Sequence, residues 1–79
     1  MISKEDYEAV GFKIGRITRK PYEIDAYIKK LLNSTASITY GIGGYLIQES
    51  LGKDKWYTLY EGPIKDIKEL KVILKKLLI

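Results

Sequence analysis

The sequence predicts a small α+β domain: two N-terminal helices, an antiparallel β-hairpin or three-stranded meander, and a C-terminal amphipathic helix. Its 79 residues, 46% hydrophobic and 30% charged, have the size and balance of one ordinary globular domain spanning 1–79. Apolar residues recur at helical spacing after Pro63 and again after Pro21. Between those stretches lie aromatic and β-preferring residues broken by glycines and turn formers.

The first 19 residues admit two readings. Ser3 is a fair N-cap, Glu5 and Asp6 suit a first helical turn, and Tyr7, Val10, Ile14 and Ile17 keep helical spacing. Against a helix, Gly11 and Gly15 each cost roughly 1 kcal/mol relative to alanine in a helix interior. Val10, Phe12 and Ile14 also alternate as a strand would, which would make the chain βαββα. The helical reading is preferred over 10–17. A second helix is expected from Pro21, with Ile24, Tyr27, Ile28, Leu31 and Leu32 on one face and an end at Asn33-Ser34-Thr35.

Strands follow at Ser37–Ile42, Tyr45–Glu49 and Trp56–Tyr60. Gly43-Gly44 is either a tight turn or a bulge in one long strand, and Leu51–Asp54 is turn-like. The last helix is expected over 63–78, with Pro63 in its first turn and Lys75 and Lys76 at the negative end of its dipole. The core is expected to contain Tyr27, Ile28, Leu31, Ile47, Leu59, Ile67, Leu70, Leu74 and Leu77.

Composition narrows the chemistry. The chain has no cysteine and no histidine, so disulfides, thiolate metal sites and His-dependent triads cannot form within it. No catalytic residue, cofactor, metal or small-molecule substrate is expected. The uncharged run Leu31–Gln48 is interrupted by Asn33, Ser34, Thr35, Ser37 and Thr39, which argues against a membrane span. The start is not that of a secretory signal, so an intracellular location and no membrane partner are expected. Gly41-Ile42-Gly43-Gly44 superficially resembles a phosphate-cradling loop, but a strand rather than a helix follows it, and a nucleotide site is rejected.

Two surfaces remain. Seven tyrosines and one tryptophan are many for this length, and a small sheet covered on one face by helices leaves aromatics on the other. Trp56, Thr58 and Tyr60 are expected to share a face. The leading expectation is a non-catalytic module that binds another protein, or a second copy of itself, through Tyr45, Trp56 and Tyr60. The alternative is nucleic-acid binding by Lys13, Arg16, Arg19 and Lys20, of which Lys13, Arg16 and Lys20 would fall on one helical face. The net charge of +4 is modest for that role. An unpaired sheet edge could also accept a strand from another chain.

The run Trp56–Ile64, a strand leading through Gly62-Pro63 into an amphipathic helix, resembles the second half of a SPOR peptidoglycan-binding domain. The likeness is confined to that stretch, and no function or residue is carried across from it.

Overall fold

The computed structural model describes residues 2–19, 22–52 and 55–78. It consists of a short helix α1 (Lys4–Ala9), strands β1 (Lys13–Arg19), β2 (Tyr22–Lys30), β3 (Thr35–Gly41), β4 (Gly44–Gly52) and β5 (Lys55–Gly62), and a closing helix α2 (Ile67–Leu77). The strands form one five-stranded antiparallel sheet in sequence order. This corrects the predicted fold, and the βαββα alternative with it. Only one N-terminal helix exists among the described residues, and it has six residues.

α1 begins where its cap predicts. The Asp6 backbone N–H donates to Ser3 Oγ at 3.1 Å and the Ser3 N–H donates to Asp6 Oδ2 at 3.2 Å, a reciprocal capping box. It stops at Gly11. With φ at +89°, Gly11 lets its own N–H reach the Glu8 carbonyl while the Phe12 N–H reaches the Tyr7 carbonyl, at 3.0 and 2.9 Å. That pair of bonds is a Schellman motif, which consumes orphan carbonyls and turns the chain away. The glycine that weakens the longer helix is therefore its terminator, and residues 13–19 leave as β1.

The second predicted helix is β2, and Pro21, its expected start, lies outside the described residues. Its apolar residues satisfy a strand as well as a helix. Ile24, Ala26 and Ile28 face one side of the sheet and Tyr27 the other, and both sides are covered. Pairing on both flanks, Ile17 to Ile24 through Lys13 to Ile28 and Lys30 to Thr35 through Tyr27 to Ile38, then overrides helix propensity.

The β3–β4 connection is the tight hairpin. Gly41 pairs with Gly44, leaving Ile42 and Gly43 as the turn. Gly44 has φ +97°, and a Cβ there would lie 2.6 Å from the Gly62 carbonyl oxygen of the neighbouring strand. Only glycine meets both demands. The expected turn at 51–54 is only partly covered, because Lys53 and Asp54 are outside the described residues.

α2 starts later than expected. Asp66, not Pro63, opens it by accepting the Glu69 N–H at 3.0 Å, and Glu69 Oε1 in turn accepts the Lys65 N–H at 3.0 Å. Ahead of it, the Tyr60 hydroxyl donates to the Pro63 carbonyl at 2.6 Å and Ile64 is buried, so 63–65 pack as a plug rather than a turn of helix.

Both helices contribute to a core on one face of the sheet, centred on Phe12, Ile38, Ile47 and Leu70, all with no exposed surface. Of the predicted core, Ile47, Leu70 and Leu74 are buried, and Tyr27, Leu31, Leu59, Ile67 and Leu77 pack against it half-buried. Ile28 is the exception. It pairs opposite Ser37 and Lys13 and so faces away from the helices.

Candidate functional site

The face away from the helices is not an open aromatic platform. It is lined by small or polar residues, with Ala26, Ser37, Gln48 and Ser50 all buried there beside Ile17 and Ile28. Burial without covering helices follows from curvature. The Trp56 indole N–H on β5 donates to the Thr18 carbonyl on β1 at 3.3 Å, although β1 and β5 are opposite ends of the sheet. The sheet therefore curls until its two edges meet at that point. Small residues at Gly15, Ala26 and Ser37 permit the bend. Register shifts in the β4–β5 ladder between Ile47 and Gln48 and between Ser50 and Gly52 increase the local twist.

The shift at Ile47/Gln48 also corrects the expected grouping of β5. Gln48 pairs with Thr58 but Ile47 with Tyr60, so Leu59 and Tyr60 both pack toward the helix side. Trp56 and Thr58 stay on the curled side, where Thr58 Oγ1 accepts from Gln48 Nε2 at 3.2 Å. Trp56, Thr58 and Tyr60 therefore do not share a face.

Tyr45 is likewise on the helix side, and it is buried. Its hydroxyl accepts the Ile2 N–H at 3.2 Å, and its ring meets that of Tyr40 edge-on at 4.6 Å. Tyr7 of α1 stacks on Tyr27 of β2 at 3.8 Å and 14°. Burial, and secondarily the neighbouring Tyr45 and Tyr27, pushes the Tyr7 phenol up to about 12. These rings hold the N-terminal segment to the sheet. Of the residues expected to bind a protein, Tyr45 and half-buried Tyr60 have structural duties on one side of the sheet, and Trp56 alone is placed on the other.

Trp56 lies in a groove of about 590 Å³ at the end of the sheet where β2 turns into β3 and β4 leaves for β5. Ile17 and Ile28 line it from the curled face, Leu31 and Leu32 come from the β2–β3 connection, and Leu51 comes from the end of β4. Leu32 is 96% exposed and Leu51 69%, so two leucine side chains stand in water at the rim of a hollow of mixed polar and apolar lining. Arg16 and Lys30 also line the groove, and no carboxylate does among the described residues. The Leu31 N–H donates to the Ser34 carbonyl at 2.8 Å, and Ser34 Oγ donates to Glu49 Oε2 at 2.6 Å. Both contacts fix the loop that carries Leu32. The sequence places Leu31 and Leu32 on a helix face, a reading that hides this site. A Leu-Leu pair directly before Asn-Ser-Thr, with a further leucine before a turn glycine, is the signal that marked it.

The basic residues expected to bind nucleic acid are dispersed by the strand. Lys13 pairs with Ile28 and Arg16 with Asp25, on opposite faces of β1. Arg16 sits 3.3 Å from Asp25 and 3.6 Å from Glu23. Arg19 pairs through its backbone with Tyr22, while Lys20 is outside the described residues. The helical stripe required i, i+3 and i+7 to share a side, and a period of two denies that.

Among the described residues, no group of acidic side chains is arranged to hold a metal ion, and no helix is long and apolar enough to cross a membrane. No protein family, curated protein or solved structure matches the chain, and the SPOR-like run is the junction of β5 and α2 alone.

Proposed function

We propose that this protein is a non-catalytic binding module whose partner is a polypeptide segment seated in the groove around Trp56. The observation that carries this reading is the pair of exposed leucines, Leu32 and Leu51, flanking a hollow that contains a half-buried tryptophan. Exposed apolar side chains gathered at a concave site favour association, because covering them removes apolar area from water at roughly 25 cal/mol per Å². Tryptophan supplies a rigid anchor at low entropic cost, and it is among the residues that dominate interface energetics. Lys30 adds positive charge at the rim that favours an acidic residue on the bound segment, whereas Arg16 is engaged by Asp25 and Glu23.

Selection from a displayed library of random peptides, followed by titration of Trp56 fluorescence, tests the reading. Selected peptides are expected to share an apolar side chain beside an acidic one, to shift the Trp56 emission, and to bind the Leu32→Asp/Leu51→Asp variant at least tenfold more weakly. Both leucines are exposed, so the variant is expected to fold. A dimer in sedimentation that the same substitutions dissociate would identify the partner as a second copy. Failure to select any peptide from a monomeric protein, or peptides that bind the variant as well as the wild type, would overturn it.

A further inference from the structure

A second hollow lies on the opposite face of the sheet, where the end of α1 meets the last turns of α2. Its volume is about 250 Å³. Phe12 and Leu74, both buried, form its floor with half-buried Val10 and Leu78. Lys29, Lys71 and Lys75 also line it, and no carboxylate does among the described residues. We infer that this hollow binds a small amphipathic anion, a carboxylate carrying a short alkyl chain of about the length of a medium-chain fatty acid.

Lys29 is the reason for specifying both charge and tail. It projects to the helix side of β2 and is half-buried, unlike the exposed Lys71 and Lys75. Its ammonium donates to the Val10 carbonyl at 3.3 Å and makes no ion pair among the described residues. An ammonium carries three N–H donors, so one carbonyl leaves capacity for an anion. A partly desolvated charge also gains more from a counter-ion than one in bulk water. The stem reaches this position by crossing Gly11, where a Cβ would come within 3.2 Å of Lys29 Cε. Gly11 thus ends α1 and clears the path for the lysine. Lys71 and Lys75, four residues apart on α2, add positive charge on the same flank.

Size limits the tail. Ordinary small-molecule pockets begin near ~300 Å³, so this open hollow covers a short chain and leaves the rest of a longer one in water. The apolar floor disfavours inorganic phosphate or a nucleic-acid backbone, which would gain the charge but waste the burial. A small-molecule ligand departs from the expectation drawn from the sequence, where Lys29 is only one of many solubilising cations.

Calorimetric titration of the full chain with octanoate, kept below its micelle-forming range, tests the inference against octanol and acetate. Octanoate is expected to bind at a single saturable site, with octanol and acetate each at least tenfold weaker. Lys29→Met should weaken octanoate at least tenfold while leaving the circular dichroism spectrum unchanged. Should that variant fail to fold, Lys71→Gln/Lys75→Gln alters only exposed side chains and should weaken octanoate at least threefold. Octanol binding as well as octanoate, no saturation at millimolar octanoate, or wild-type affinity in the folded lysine variants would overturn the assignment.

Discussion

Tyr7 shows how one side chain changes meaning once its neighbours are known. In the sequence it is a point on a helical face; in the structure its ring stacks on Tyr27, and its phenol is held neutral by burial. That has a consequence at high pH. The unfolded chain loses the Tyr7 proton around the ordinary value of 10.0, whereas the folded protein keeps it until about 12. Between those values the folded state binds more protons, so stability is intact below pH 10 and falls as pH rises toward 12. Tyr7→Phe preserves the stack and removes the titration. Its urea midpoint is expected to decline less than that of the wild type between pH 9.5 and 11.5, and parallel declines would contradict the assignment. Ser37 makes a different point at the same scale. Its hydroxyl is fully buried with no hydrogen-bond partner among the described residues, so side-chain size, not polarity, explains its place under the curl.

At the scale of elements, the start of the first helix was legible and its end was not. Ser3 and Asp6 open α1 where the sequence expects a helix to begin, through bonds within one turn, but Gly11 ends it although the sequence favours a helix running on over 10–17. The helix at the other terminus was legible in type, because Leu70 and Leu74 keep one apolar stripe against a lysine-rich remainder. Its start was misplaced. Pro63 is compatible with a first turn, but Asp66 has the side chain that caps one. Asp66→Ala should lower unfolding stability by about 1 kcal/mol, the usual worth of such a cap, measured by urea denaturation. A loss within error would mean that packing of Ile64 and Leu70 alone places the helix. β2 was misread entirely because Ile24, Tyr27, Ile28 and Leu31 fit a period of 3.6 when only one buried face is assumed.

For the whole molecule, curvature of the sheet is the organising feature. A Cα radius of gyration of 11.7 Å matches the roughly 12 Å expected for a chain of this length, so helices and curled sheet pack as one body. The curl buries Ser37, Gln48 and Ser50, draws β5 toward β1, and opens the groove at the Trp56 end. Trp56→Phe keeps most of the ring but loses the indole N–H to Thr18. It should cost about 0.5–1.5 kcal/mol in urea unfolding followed by circular dichroism, the net worth of one such bond. It should also speed amide exchange in β1 more than in β3, since β3 is flanked on both sides. Equal changes in the two strands would count against a seam held at Trp56.

By itself the sequence determined an N-cap at Ser3, strand-forming stretches at 37–42, 45–49 and 56–60, the apolar face of the last helix and the exclusion of thiol and imidazole chemistry. These depend on residue type or on contacts within a few positions, which a linear reading can see. Tertiary structure decided that residues 13–30 pair as strands, that Tyr45 and Tyr60 belong to packing, and that Lys13 and Arg16 part to opposite faces. It also decided that Leu32 and Leu51 stand together at a groove and that Lys29 crosses Gly11 toward α2. The physical reason is the same in each case. Strand pairing and sheet curvature join residues distant in sequence, and a period of two or of 3.6 is chosen by what covers each face of the element.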